Sequence, residues 1–443
     1  DFLTSATIAT LVALPFLFIF LAVIYMVGGN IAFIPLTVLP IAILTGVLLQ
    51  SPLKKAVTEL SQFASQKGST LIESLTNLDS IKVNGAESQL QHKWEQNIGQ
   101  IARLSLKTRL LSSVAVNLTA FLQQMTSVAV VVFGVYKISE GDLTMGGLIA
   151  CTLLTGRALA PVGQVASLLT RYHQSKTSLA SLNNMMSLPI EREVDRKFLH
   201  RPNFKGSIEF KNISFSFPDQ QIKALDNISF NIQAGERVGI IGRIGSGKSS
   251  IEKLMMGLYE AQEGSVLIDG TDLRQIDPSD LRRQIGYVPQ DISLMFGSVK
   301  DNITLGARFA EDTAVLRAAE ITGVTNFVNK HPAGFDLPVG ERGSALSGGQ
   351  RQSVAVSRAL LLSPPIFIMD EPSNSMDNST EEAFKQKFLE QLDSQTLILV
   401  THRASLLTMV DRLIVMDHGK IVADGPKATV LAALKQGQIK VTN

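Results

Sequence analysis

Gly242-Arg243-Ile244-Gly245-Ser246-Gly247-Lys248-Ser249 fits the pattern G-x-x-x-x-G-K-[ST]. An apolar run, Val238-Gly239-Ile240-Ile241, precedes it and reads as a buried strand. The stretch Ser250-Ile251-Glu252-Lys253-Leu254-Met255-Met256 follows and reads as a helix. A strand–loop–helix is the setting this pattern needs. Its glycines let backbone N–H groups wrap a phosphate, and the helix that opens there turns its positive end toward the anion. Gly242, Arg243, Gly245, Ser246, Gly247 and Ser250 would line the loop, Lys248 would reach terminal phosphates, and the Ser249 hydroxyl would sit on Mg²⁺. The competing reading, a glycine-rich turn before an ordinary helix, is weighed against the motif's neighbours.

Working outward, the 443-residue chain is long enough for more than one domain. Residues 2–53 and 110–136 contain no charged residue, whereas the chain from about 200 onward is mixed and charged. The net charge of +2 averages these unlike parts, and no basic run points to nucleic acid. The single cysteine, Cys151, excludes an internal disulfide, and the six histidines lack metal-ligand spacing. The chain does not begin with Met and opens almost directly in an apolar segment, so it reads as beginning inside a longer protein. A cleaved signal peptide is a poor reading, since the apolar region is far too long.

A membrane-spanning helix needs about 20 apolar residues. Four spans are expected, near 6–27, 31–50, 110–136 and 143–170, with Gly28-Gly29-Asn30 as the turn between the first two. Pro15, Pro35 and Pro40 are tolerable in membrane helices whose neighbours satisfy the freed carbonyls. Arg157, in the fourth span, would face the protein interior or an aqueous pathway, or else pair with a carboxylate or snorkel. The intervening stretch 51–109 is polar and helix-forming and carries Lys54, Lys55, Lys67, Lys82, Lys93, Arg103, Lys107 and Arg109. The opposite connections, Gly28–Asn30 and Lys137–Asp142, carry one lysine between them. Positive charge marks the cytoplasmic side, so 51–109 and everything after the fourth span are expected inside. Residues 1–170 thus form a transmembrane domain, 171–204 a helical exit and linker, and 205–443 a nucleotide-binding domain.

Within that last part, Ser207–Phe210 and Ile228–Ile232 are strand-like, and alternating apolar strands and helical patterns suggest a parallel sheet. Ile366-Phe367-Ile368-Met369 delivers Asp370 and Glu371 at a strand end, where Asp370 can hold Mg²⁺ and Glu371 can orient or deprotonate an attacking water. Thr396–Val400 ends at Thr401-His402. Leu346-Ser347-Gly348-Gly349-Gln350 stands before a helical run and forms a second anion-binding helix start. Gln290 lies in a loop after Tyr287-Val288-Pro289. Two phosphate-binding helix starts on one chain make sense if the second serves a partner's nucleotide.

The order P-loop, Gln290, L-S-G-G-Q, Asp370-Glu371, Ser375-Met376-Asp377 and His402 resembles the ATPase domain of an ABC transporter, over about 205–443. The membrane part ahead of it resembles the exporter type, a helical bundle fused to an α/β P-loop ATPase. The resemblance implies that Phe217 stacks on adenine, where the family more often has tyrosine. It implies that Gly242 to Ser249 bind phosphates, that Ser249, Gln290 and Asp370 surround Mg²⁺, that Glu371 is the general base and His402 the switch residue. It also implies that Ser347, Gly348, Gly349 and Gln350 close on the other subunit's ATP, that Asp377 lies at the dimer seam, and that the chain works as a homodimer. Ser373 and Met376 depart mildly from the commonest pattern.

His331-Pro332-Ala333-Gly334-Phe335-Asp336, Val339–Gly343, Leu143–Ala150 and Gly156–Pro161 resemble the ATPases of bacterial type I secretion systems. Those export unfolded polypeptides, often repeat-containing toxins or adhesins, from the bacterial inner membrane with a periplasmic adaptor and an outer-membrane channel. In that family the stretch near Ser74–Ser88 would be a coupling loop. Six spans per subunit would be expected; the two beyond the four counted, and any peptidase-like domain, would precede Asp1. The alternatives are a lipid or drug exporter with the same ATPase engine, or an ATP-gated channel.

Overall fold

Absence of charge lets the first helices face lipid, and the computed structural model follows that pattern. It describes residues 5–192, 196–218, 220–307 and 309–437, with the helical backbone alone at 5–11, 13, 14, 162–171, 173 and 174. The chain divides into two compact units, Asp1–Pro189 and Ile190–Asn443. The division falls within the stretch read as a linker.

The first unit is wholly helical: α1 (Ser5–Gly28), a 3-10 turn (Gly29–Ala32), α2 (Phe33–Thr76), α3 (Leu78–Val83), α4 (Glu87–Ser139) and α5 (Met145–Met186). At 1.5 Å per residue, the 44-residue α2 and 53-residue α4 are roughly 66 and 80 Å long, more than twice a ~30 Å hydrocarbon core. The polar stretch 51–109 is therefore the lower halves of two continuous helices joined at α3. Two stretches, Pro15–Thr76 and Glu87–Ser139, pass a length-and-apolarity test for crossing a membrane. Met145–Pro161 is apolar but shorter. The first stretch holds two helices separated by the 3-10 turn, so the four expected spans fall on α1, α2, α4 and α5.

Only 22% of the apolar window in each stretch is buried. A soluble core helix would be mostly buried. Here Phe18, Ile19, Leu48 and Phe133 point outward, a surface that requires lipid. Where these helices do meet, small residues set the distance. A Cβ on Gly28 would lie 2.9 Å from Cys151 Sγ, and one on Gly134 would lie 2.2 Å from Leu148 Cδ1. Ile24, Val130, Leu148 and Cys151 form the buried centre of this contact, which accounts for the lone cysteine as packing.

The second unit runs β1 (Ile208–Phe215), β2 (Leu225–Ile232), β3 (Arg237–Gly242), α6 (Lys248–Met255), β4 (Glu263–Ile268), β5 (Thr271–Asp272), α7 (Pro278–Arg283) and β6 (Ile285–Val288). It continues through α8 (Val299–Ile303), α9 (Asp312–Thr322), α10 (Thr325–Val328), α11 (Gly348–Leu360), β7 (Ile366–Asp370), α12 (Asn378–Gln391), β8 (Thr396–Val400), β9 (Arg412–Asp417), β10 (Lys420–Pro426) and α13 (Lys427–Lys435). Two sheets form, an antiparallel β2-β1-β4-β5 and a six-stranded β10-β9-β3-β8-β7-β6.

In the larger sheet, β3, β6, β7, β8 and β9 are parallel, and β10 adds an antiparallel edge. Every residue of β7 and β8 is buried. Strands covered on both faces read as continuous apolar runs rather than alternating ones, as 366–369 and 397–400 do. Ahead of β1, the chain is strapped to this unit by ion pairs and a histidine–carboxylate contact. Glu191 meets Arg282, Arg192 meets Asp277 at 2.9 Å, and His200 Nδ1 lies 2.6 Å from Asp280. Glu191, Arg192 and His200 thus pack against the second unit.

A candidate nucleotide site at the ends of three parallel strands

Parallel strands present all their C-terminal ends on one edge, where ligands bind in open α/β sheets. Register makes the point here: Val400 of β8 sits level with Ile240 of β3 on one side and Asp370 of β7 on the other. The loops that follow, Gly242–Gly247, Glu371 and Thr401-His402, therefore start at the same height.

The P-loop backbone is shaped for glycine. Gly242, Gly245 and Gly247 have φ of 158°, 81° and 101°. A Cβ at Gly247 would lie 2.6 Å from Ala224 O, while at Gly245 nothing lies within 4 Å, so the loop is tight against the domain on one side and open on the other. Ser246 is 2% exposed, yet its hydroxyl has no hydrogen-bond partner. An orphaned buried hydroxyl inside a glycine cradle fits a phosphate-bearing ligand. Ser250 is buried on the next turn, its N–H donating to Gly247 O at 3.1 Å. Lys248 donates to Gly242 O and Arg243 O, each at 2.7 Å, and bends over the loop. Burial lowers its proton affinity, opposed by Asp370 and Glu371.

Ser249 Oγ lies 3.5 Å from Asp370 Oδ2. Burial and the neighbouring Glu371 push Asp370 up to about 6. Paired carboxylates in a low-dielectric site raise each other's proton affinity until a cation arrives, so this donor set fits a divalent metal. Glu371 has φ 49°, a left-handed conformation rare for a side-chain-bearing residue. Its Oε1 accepts from His402 N at 2.6 Å and its Oε2 from Thr401 Oγ1 at 3.1 Å. Each carboxylate oxygen has a further lone pair, so the group is oriented but still able to accept from a water.

The structure thus brings Lys248, Ser249, Asp370, Glu371 and the His402 backbone together. The remaining predicted residues lie elsewhere. Gln290 is exposed two residues beyond β6. Phe217 stands half-buried in a cluster with Phe215 and Tyr259, with Lys253 Nζ 5.0 Å from its ring centroid.

Ser347 and Gln350 form a reciprocal capping box at the start of α11. Ser347 Oγ accepts from Gln350 N at 3.3 Å, and Gln350 Oε1 accepts from Ser347 N at 2.8 Å. Gly348 and Gly349 pack under Ser375, a Cβ on Gly349 reaching within 2.9 Å of Ser375 O. Asp377 caps α12. Its carboxylate accepts from Thr380 N at 2.9 Å and from the Ser379 and Thr380 hydroxyls, which hold it well below the usual carboxylate range.

Two residues escaped sequence reasoning. Gln352, 1% exposed, donates to Glu371 O at 2.7 Å and accepts from Ser375 N at 2.6 Å, tying α11 to the Glu371 turn. A polar residue on the buried face of α11, beside Ser353-Val354-Ala355, was the available signal. Glu252, also 1% exposed, lies beside Asp370 with one carboxylate oxygen unpartnered.

Residues 1–162 match the ABC transporter transmembrane region, and residues 225–374 match the ABC transporter family. The chain belongs to the ABC transporter family. Among its relatives are leukotoxin translocation ATP-binding proteins LktB of Mannheimia haemolytica and Bibersteinia trehalosi. Each is 34% identical over 425 residues, covering 96% of this chain. This ABC chain spans about 60% of the length of those relatives. Its fold is also that of a bacterial Atm1-family ABC exporter solved with ATP bound. That match has TM-score 0.86 and 26% identity, and covers 98% of this chain and 76% of that one. An exporter-type helical region followed by an ABC ATPase domain is therefore the architecture of this chain.

Proposed function

We propose that this chain is the ATP-hydrolysing subunit of a homodimeric exporter in a bacterial inner membrane. Its cargo would be an unfolded polypeptide of the repeat-toxin or adhesin kind, passed to a periplasmic adaptor and an outer-membrane channel. The observation that carries the reading is the meeting of Lys248, Ser249, Asp370 and Glu371 at the ends of β3 and β7, on one chain with helices whose outer faces need lipid. The relatives named for leukotoxin translocation support the class of cargo.

Each site residue has a task in this scheme. Phe217 stacks on adenine. Gly242, Arg243, Gly245, Ser246, Gly247 and Ser250 present the loop that binds phosphates, and Lys248 moves from its own loop carbonyls to the terminal phosphates. Ser249, Gln290 and Asp370 hold Mg²⁺, which when bound supplies positive charge against the phosphate oxygens. Glu371, held by Thr401 and the His402 N–H, orients the attacking water and accepts its proton. The His402 imidazole stands exposed at the strand end, free to turn toward the γ-phosphate.

Ser347, Gly348, Gly349 and Gln350 start a 13-residue helix whose positive end faces the ATP of the second copy, and Asp377 shapes the turn at the seam. Ile244, 97% exposed in the middle of the P-loop, is apolar surface that this second copy covers. Arg157 is exposed on α5, twelve residues or ~18 Å along the helix from its outer end. A cation at that depth requires protein or water beside it, which suits a pathway between two copies.

The test uses the full chain in nanodiscs. ATP turnover is measured with a C-terminal secretion peptide of a repeat toxin, with lipid and with drugs, and with Glu371→Gln as the blank. Stimulation by the peptide is expected. Stimulation by lipid or drug alone would move the assignment to a lipid or drug exporter, and ion currents without transport would make it a channel. Glu371→Gln should bind ATP normally and lose turnover by about 10²–10⁴-fold; unchanged turnover would remove Glu371 as the base.

A further inference from the structure

Glu252 occupies a position that ordinary packing does not explain. It lies in α6, three residues after Ser249 and four after Lys248, so all three share one helix face. It is 1% exposed. Its Oε2 accepts from Tyr287 Oη at 3.3 Å, but its Oε1 has no hydrogen-bond partner. Lys248 Nζ donates to Gly242 O and Arg243 O, so the nearby cation acts on Glu252 through space and not by a hydrogen bond. What Glu252 faces is Asp370, a second buried carboxylate with which it shares a hydrogen bond. Two carboxylates closed off from water, one with an unsatisfied oxygen, are a costly arrangement for a protein alone. A divalent cation relieves both costs.

We propose that Glu252 is an additional carboxylate of the metal site, its free oxygen accepting a hydrogen bond from a water bound to the cation, with Tyr287 fixing its orientation. The proposal rests on the Mg·ATP reading above and extends it by a residue outside the phosphate-loop motif. Mg²⁺ keeps several of its waters when bound beside phosphates. A carboxylate one helical turn beyond Ser249 is placed to accept a hydrogen bond from one of them. Acceptors of this kind orient the coordination shell, and their loss costs about 10–100-fold in metal affinity. Tyr287 stands in β6, three residues before Gln290, so the same contact ties α6 to the strand leading to that expected ligand.

The experiment measures binding rather than turnover. The full chain in nanodiscs is titrated with a fluorescent ATP analogue in EDTA and again with Mg²⁺, and Mn²⁺ binding beside ATP is followed by electron paramagnetic resonance. Glu252→Gln should bind the analogue in EDTA as tightly as wild type or more so. Its gain on adding Mg²⁺ should shrink by ~10-fold, and its Mn²⁺ affinity should fall equally. Tyr287→Phe should move both in the same direction by less.

Equal Mg²⁺ gain and equal Mn²⁺ affinity in wild type and Glu252→Gln would overturn the proposal while leaving the nucleotide reading intact. A wild-type protein with no gain from Mg²⁺ would overturn both. If Glu252→Gln lost binding in EDTA as well, Glu252→Asp decides. Its carboxylate is retracted by one methylene, and an undiminished Mg²⁺ gain in that variant would refute a role at the metal.

Discussion

Replacing Glu252 by Gln should make the empty ATPase unit more stable, and increasingly so as pH rises. The carboxyl goes from an ordinary 4.5 up to about 8, burial being the first cause and Asp370 the second. At ~1.4 kcal/mol per pKa unit, the ionised form carries a penalty on the order of 5 kcal/mol. The sign follows from proton counting. Between pH 4.5 and 8 the folded protein holds a proton at Glu252 that the unfolded chain has released. Stability therefore falls as pH rises through that window and levels off above it. An amide has nothing to titrate, so the variant should match wild type near pH 4.5 and exceed it by a growing margin toward pH 8. For a unit of this size, 1 kcal/mol shifts the melting temperature by roughly 2–4 °C, which puts the difference at about 10 °C or more at pH 8. Calorimetry of the metal-free full chain at pH 5, 6.5 and 8 checks it. Parallel melting curves for the two proteins across that range would refute the reasoning, because a carboxylate that titrates normally has no buried cost to relieve.

Lys248→Ala should cost nucleotide affinity by at least 10-fold in a fluorescent-analogue titration, since the phosphates lose their cation and Gly242 O and Arg243 O lose the donor that holds the loop. Gln352→Ala should destabilise the ATPase unit by about 1–3 kcal/mol, read as an earlier calorimetric transition, because Ser375 N and Glu371 O lose a shared buried partner. The same variant should also lower turnover, since the Glu371 turn is no longer fixed from behind.

Much of this architecture is legible in the residues because it follows from solvent exclusion. Charge-free runs must find lipid or a core, and wholly apolar runs such as 366–369 and 397–400 must lie inside a sheet. Acidic or hydroxyl residues at the ends of such strands must then emerge on one edge. Less legible was the reach of α2 and α4. Helix propensity does not change where a membrane ends, so the return of charge at Lys54 marks an interface without marking a break.

Asp377 shows the opposite case. Asp-Asn-Ser-Thr-Glu at 377–381 is a helix-start signal, and the carboxylate that the family pattern places at a seam also caps α12. The left-handed Glu371 and the buried bridge of Gln352 depend on contacts between segments about twenty residues apart or more. Neither periodicity nor spacing carries that information. Glu252 lay in plain view, one turn beyond Lys248, but a lone acid in a short helix reads as surface until its burial is known.

The central claim is that ATP is held between two copies of this chain, the P-loop of one facing the Ser347 helix start of the other. Cysteines placed at Ile244 in one copy and at Ser347 in the second test it directly, since both positions are exposed and the native Cys151 is buried. Under mild oxidation of mixed proteoliposomes carrying Glu371→Gln, Mg·ATP should produce a disulfide-linked dimer that is absent without nucleotide. Monomer alone under saturating ATP, or a cross-link indifferent to ATP, would contradict the account.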